Sequence, residues 1–216
     1  MPSLYFPGGG FGFWYLLGIY IKLRDTVSNF HDYQIVGCSA GSLICLVSLL
    51  KEEYLNLYFL VVLFQESLQE QRQLLNIHTL VSKLFELAKD YIDYEKLSLN
   101  LQNLRIHVTE IDFFWGCLPK LNKKIVSPLD LDHLKDLILA SCQIPVLGRS
   151  QNHCFFIEIN HKFYLDGMFS ENQFDEDEYH QKFDTSEYLS LRLPSEDYIH
   201  DMYSNGYNLV DISRGL

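Results

Sequence analysis

Along the first fifty positions, short apolar runs alternate with longer apolar segments, and glycine clusters mark the joints. Residues 4–6 (LYF) form a run stopped by Pro7 and three glycines, which predicts a buried strand ending in a tight loop. The stretch 13–23 is apolar on all sides, and Lys22, Arg24 and Asp25 mark its wet end, so a buried helix is expected there. Residues 33–37 (YQIVG) predict a second strand, running directly into GCSAGS and a long apolar helix from 40 to about 50. Short apolar strands alternating with helices are the signature of a parallel sheet covered on both faces. The expected fold is therefore α/β, a three-layer α/β/α arrangement with a mostly parallel central sheet.

Between 54 and 103, Leu57, Leu60, Val61, Phe64 and Leu68, then Leu80, Leu84 and Leu87, recur at three- and four-residue spacing, which predicts two or three helices. The alternating segment 104–111 (LRIHVTEI) predicts a strand, and 124–126 a shorter one. Ser127, Pro128 and Asp130 supply a helix start ahead of Leu134, Leu137, Ile138 and Ala140, with Ser127 as cap and Pro128 in the first helical position. Residues 155–159 and 162–165 predict a hairpin around Asn160 and His161, and 189–193 a last strand. Ser195 is expected to cap a final helix that runs to about 203 and is closed by Asn205 and Gly206. No linker, repeat or low-complexity segment beyond the acidic run 175–178 interrupts the chain, so residues 1–216 are expected to form a single domain.

Composition narrows the function classes. With 48% hydrophobic and 14% aromatic residues the chain has ample material for a core, which argues against disorder. A net charge of −11, with Lys120, Lys123 and Lys124 as the only basic group close in sequence, argues against nucleic acid as a partner. The amino terminus lacks a basic segment followed by an apolar one, so it does not read as a secretory signal. Five cysteines without CxxC spacing (Cys38, Cys45, Cys117, Cys142 and Cys154) fit reduced thiols better than a disulfide frame or zinc site, and a cytoplasmic location is expected. The longest apolar stretch, 42–64, is broken by Lys51, Glu52 and Glu53 and reads as two helices outside a membrane. No grouped ligands suggest a metal, and no motif suggests a cofactor.

The sharpest chemical signal is Gly37-Cys38-Ser39-Ala40-Gly41, a G-x-S-x-G between an expected strand and an expected helix. Small residues two before and two after the serine suit a tight, strained turn that leaves the hydroxyl exposed at a helix start, where free amides beginning with Ala40 can stabilise an oxyanion. Gly8, Gly9 and Gly10 suit a phosphate cradle, an oxyanion hole or a plain turn. The spacing lacks both the dinucleotide fingerprint and a P-loop, so the oxyanion reading fits better. A base for Ser39 could be Asp166, which follows the aromatic run KFYL and precedes Gly167, or a histidine. His180 lies in an acidic polar segment, however, and His200 in a helical pattern.

The combination of a GGG loop after the first strand, GCSAG, ASCQIPVL and YLDGMFSEN, in that order, resembles the patatin-like phospholipases over nearly the whole chain. The resemblance implies a Ser-Asp dyad without histidine: Ser39 as nucleophile, Asp166 as base, and Gly8, Gly9 and Gly10 as oxyanion donors. It also matches ASCQIP (140–145) to the family's A-S-x-A-x-P segment, Asn172 to an Asn after the Asp-Gly motif, and VTEID to a strand leading to a loop near the site. Two positions depart from the pattern. Phe11-Gly12-Phe13 stands where a basic residue and Gly often follow the triple glycine, and Met168 where Gly or Ala is usual.

The implied activity is hydrolysis of a lipid or phospholipid ester, with peripheral membrane contact and without metal or cofactor. Phe6, Phe11, Phe13, Trp14 and Tyr15 are compatible with an apolar acyl pocket, although core packing accounts for most of them. Two other readings remain at this level: a His-dependent esterase of the α/β-hydrolase type, and a catalytically idle lipid-binding module.

Overall fold

The computed structural model describes residues 2–68, 76–113, 119–144, 156–173, 181–186 and 194–209. Among these, seven strands form one mixed sheet: β1 (Ser3–Phe6), β2 (Gln34–Cys38), β3 (Leu104–Asp112), β4 (Lys120–Val126), β5 (Ile157–Ile159), β6 (Lys162–Asp166) and β7 (Gln181–Lys182). The centre, β7-β1-β2-β3, is parallel. With the intervening helices, this is the expected α/β class with a mostly parallel central sheet.

β3 organises the rest. One of its edges pairs antiparallel with β4 along residues 106–112. The other edge is shared: β2 pairs parallel with residues 104–107, and β6 pairs antiparallel with 108–111. β2 and β6 therefore run towards each other along one strand and stop end to end. β5 continues this half of the sheet as a hairpin with β6, turning at Asn160 and His161, both in the left-handed region (φ 52° and 62°) as a two-residue hairpin requires.

Seven α-helices accompany the sheet among the described residues: α1 (Phe13–Thr26), α2 (Ser42–Val47), α3 (Leu57–Leu68), α4 (Ile77–Ala88), α5 (Leu97–Gln102), α6 (Leu131–Ser141) and α7 (Glu196–Leu209). Side-chain alternation along the strands divides the core. Leu4, Phe6, Ile35, Leu104, Ile106 and Val108 join the helices in one large apolar cluster, whereas Tyr5, Val36 and Cys38 form a small separate one with Ile125.

Several boundaries differ from the expectations, each for a tertiary reason. The helix expected over 40–50 is a 3₁₀ turn (Ser39–Gly41) followed by the short α2, because the chain turns to pair with the segment after α4. There the Lys51 and Asp93 amides donate to Tyr91 O and Leu49 O, each at 2.9 Å. α6 starts at Leu131 rather than near Ser127, capped by Asp130 Oδ1, which accepts from the His133 amide at 2.8 Å. β4 is longer than expected because it pairs with β3 throughout its length. β7 carries no apolar alternation that would have announced it. The strand expected at 189–193, His180, Pro145, Cys117, Cys154, Phe155 and the acidic run 175–178 lie outside the described residues.

The final helix is capped at Ser195 as expected, its hydroxyl accepting from the Tyr198 amide at 3.3 Å. It does not end at Asn205 and Gly206 but runs on to Leu209. Gly206 serves helix packing instead of termination. A Cβ on it would sit 2.0 Å from Tyr15 O of α1, and one on Gly18 of α1 would sit 2.1 Å from Tyr203 O of α7. The two backbones thus touch through reciprocal glycines, and any side chain forces them apart. In an ordinary helix Gly→Ala stabilises by about 1 kcal/mol. Here Gly206→Ala is expected to destabilise by about 1–3 kcal/mol through overpacking, read as a lower urea midpoint at unchanged slope.

Candidate functional site

Ser39 sits at the turn between β2 and α2 with φ 49°, a left-handed backbone rare for a residue with a side chain. The flanking glycines make that turn possible. A Cβ on Gly37 would lie 2.5 Å from Ser42 Cα, and one on Gly41 would lie 2.0 Å from Phe6 O at the end of β1. The turn is held by the Ser42 hydroxyl donating to Ser39 O at 2.5 Å. A strained backbone of this kind costs on the order of 1–3 kcal/mol and persists only where its surroundings enforce it.

Asp166 is the last residue of β6, fully buried, and its amide donates to Gln143 O at 3.1 Å. Its position follows from register: Cys38 pairs with His107 and Asp166 pairs with Val108, adjacent residues of β3 on the same edge. The end of β2 that carries Ser39 and the end of β6 that carries Asp166 are thereby brought together. Contact confirms this juncture, since a Cβ on Gly167 would lie 2.8 Å from Cys38 Sγ. Asp166 Oδ1 accepts from the Met168 amide at 2.9 Å, and Asp166 O accepts from the Thr109 hydroxyl at 2.8 Å.

Three consecutive residues at the end of α6 bracket the pair. The Ser141 hydroxyl accepts from the Ser39 amide at 2.8 Å and donates to His107 O at 2.7 Å. The Cys142 thiol donates to Ser39 O at 3.3 Å. Gln143 O receives the Asp166 amide. Burial first, and then the nearby Asp166 carboxylate, push the Cys142 thiol up to about 12, so the sulfur is a neutral thiol beside the serine.

Gly8, Gly9, Gly10, Ser39, Ala40 and Cys142 line one cavity of about 620 Å³, whose walls are largely apolar. Gly8 faces the serine: a Cβ there would be 3.1 Å from Ser39 Cβ and 3.7 Å from its Oγ. The Gly8 carbonyl accepts from the Thr185 hydroxyl at 2.6 Å. Because a trans peptide places C=O and the next N–H on opposite sides, this bond fixes the direction of the Gly9 amide. Phe11, at the position where the resemblance leads one to expect a basic residue, is buried and packs edge-to-face on Phe64 at 5.9 Å. Of the other aromatics considered for a pocket, Phe13 lines the cavity, while Phe6, Trp14 and Tyr15 are buried core residues.

His107 is the buried histidine of this region, with Nδ1 at 3.0 Å from Tyr5 Oη and Nε2 at 3.1 Å from Ser170 Oγ. Ser170 belongs to the 3₁₀ segment Gly167–Gln173 that follows Asp166 and includes Asn172, so the ring ties that segment to β3. His200 is exposed on α7. Among the described residues no three His, Cys, Asp or Glu side chains are grouped to hold a metal, and no helix is long and apolar enough to cross a membrane. Sequence reasoning passed over Ser141, Cys142, Gln143 and Thr185 as positioning groups. ASCQ was visible only as part of a resemblance, and Thr185 gave no signal. No protein-family model matches the chain, and no curated protein matches it.

The buried thiols make stability depend on alkaline pH. Cys45 and Cys142 are each raised from the usual 9.0 to about 12, chiefly by burial. Above pH 9 the unfolded chain releases these protons and the folded one does not, so stability present below pH 9 is lost as pH rises towards 12. The loss is on the order of 1 kcal/mol per thiol per pH unit. Urea midpoints are expected to fall between pH 9 and 11, and less steeply in Cys45→Ala and Cys142→Ala.

Proposed function

We propose that the protein is a patatin-like serine acyl hydrolase that cleaves lipid esters, phospholipids among them, with Ser39 as nucleophile and Asp166 as base. The observation that carries this reading is the end-to-end meeting of β2 and β6 on β3, which brings a strained G-x-S-x-G serine and a buried Asp-Gly aspartate together beside an apolar cavity. The finer three-layer α/β/α arrangement of that family belongs to the same reading. Asp166 takes the proton as Ser39 Oγ attacks the ester carbonyl, and the amides of Gly8, Gly9, Gly10 and Ala40 receive the developing oxyanion. The alcohol leaves with the proton. Water, deprotonated by Asp166, then releases the acyl group and restores Ser39.

Strain serves this chemistry. The turn holds the hydroxyl at the cavity wall without a competing helical hydrogen bond, and the neutral Cys142 adds no charge beside the forming oxyanion. A His-dependent mechanism finds less support, because both ring nitrogens of His107 meet hydroxyls of Tyr5 and Ser170. Met168 and Phe169, 48% and 39% exposed just after Asp166, support peripheral contact with a lipid surface from a cytoplasmic protein.

The test is hydrolysis of a lipid panel read by mass spectrometry. Ser39→Ala and Asp166→Asn are each expected to lose at least about a thousandfold in rate while remaining folded by circular dichroism. His200→Ala is expected to stay within about tenfold of the parent. Turnover by Ser39→Ala at the parent rate would overturn the assignment.

A further inference from the structure

A carboxylate that acts as base must be held in one orientation, and in this fold the turn after Asp166 has the means to hold it. Asp166 ends β6, and the chain leaves it as the 3₁₀ segment Gly167–Gln173. Two peptide groups fix that turn. Asp166 O accepts from the Thr109 hydroxyl at 2.8 Å, and Gly167 O lies 3.2 Å from Ser170 Oγ and 3.4 Å from Thr109 Oγ1. Because a trans peptide points its C=O and the next N–H in opposite directions, holding Gly167 O aims the Met168 amide. That amide donates to Asp166 Oδ1 at 2.9 Å. The carboxylate is therefore set, through its own turn, by two hydroxyls of the core.

Proton counting gives the direction of the hydrogen bonds behind that turn. Tyr5, His107, Thr109, Asp166 and Ser170 are all fully buried. A backbone carbonyl only accepts, so the single hydroxyl proton of Thr109 goes to Asp166 O. The 2.8 Å contact between Thr109 Oγ1 and Ser170 Oγ then needs the proton of Ser170, with Gly167 O as its longer, shared acceptor. Ser170 Oγ is left to accept from His107 Nε2 at 3.1 Å, which places a proton on that ring nitrogen. With one proton on the ring, Nδ1 accepts from the Tyr5 hydroxyl at 3.0 Å. Each donor points the same way, from Tyr5 through His107, Ser170 and Thr109 to the Asp166 carbonyl. The ring also backs directly onto the turn, since a Cβ on Gly167 would lie 3.0 Å from His107 Cγ.

We infer that His107, as its Nε2–H tautomer, is a positioning residue for the proposed base, driving a one-way hydrogen-bond chain that holds the Asp166 turn and so aims its carboxylate. The catalytic part of this inference rests on the reading of Asp166 as base. His107 acts through Ser170 and Thr109 and needs no contact with substrate. The opposite tautomer would reverse the chain: Nε2 would draw the Ser170 proton, Thr109 would turn its own proton to Ser170, and Asp166 O would lose its donor. A buried carbonyl stripped of its donor is costly, and the turn would shift to recover one.

The tautomer is read directly, without any assay of activity, by nitrogen-edited NMR of protein labelled in its histidine rings, with the His107 signals assigned by their loss in His107→Gln. The expected signature is a proton on Nε2 that exchanges slowly with solvent, as a fully buried group should, and an unprotonated Nδ1. A proton found on Nδ1 would overturn the one-way chain.

Kinetics with para-nitrophenyl octanoate test the positioning role. His107→Phe keeps a ring without a donor, and Ser170→Ala cuts the chain one link further on. Each is expected to lower kcat about tenfold to a hundredfold with KM within about twofold of the parent, while folded by circular dichroism. His107→Gln, whose side-chain amide can donate from close to the position of Nε2, should recover most of the loss. The variant carrying both His107→Phe and Ser170→Ala should be no slower than the slower single one, since both cut the same chain. If His107→Phe does not fold, Ser170→Ala decides. Parent kcat in folded Ser170→Ala, or a loss in His107→Phe that His107→Gln does not recover, would overturn the positioning role and leave the hydrolase standing. A parent protein with the expected ring protonation but no ester turnover would sink the hydrolase and the positioning role with it, and leave the one-way chain standing.

Discussion

Two strands of opposite direction share one edge of β3, and the candidate site lies where they stop. The arrangement leaves β2 and β6 no room to pass, so the residues at their ends must face one another at consecutive rungs of the ladder. One rung of slip would turn every β6 side chain to the other face of the sheet. The β6–β3 pairing, from Val108–Asp166 to Ile111–Phe163, therefore fixes where the aspartate ends up, while the Asn160-His161 turn sets how β5 pairs with β6.

Around that junction the polar groups are arranged by a few non-local bonds. The end of α6 offers a hydroxyl, a thiol and a carbonyl in succession, and each meets a different atom of the Ser39 and Asp166 backbones. On the opposite face of the sheet, Tyr5, His107, Thr109 and Ser170 form a buried chain of side-chain hydrogen bonds that fastens the segment after Asp166. Buried polar groups are costly unless paired, so this chain favours one arrangement of the Asp-Gly turn over nearby alternatives.

Much of this was legible in the residues. GCSAG between a strand and a helix identified the strained turn, because only small neighbours permit it, and Asn160-His161 between two apolar runs identified the hairpin. What stayed hidden depends on partners distant in sequence. Gly206 has the local look of a helix terminator, and only the proximity of α1 turns it into a packing residue. Asp130 outcompeted Ser127 as a cap, a choice between two good capping residues that local pattern does not decide. Thr185 lies beside a two-residue strand that has no periodicity to read, yet its hydroxyl sets a peptide of the glycine loop.

The bonds that shape the site also bear on when it exists. Ser39 meets Ser141 across 102 positions, Tyr5 meets His107 across 102, and Thr185 meets Gly8 across 177. Contacts with such long loops must overcome the largest closure entropy and form late, after local helices and the hairpin have assembled. A chain with intact secondary structure can thus still lack an organised pocket, and the cavity reports on the completeness of the native topology more stringently than any single element does.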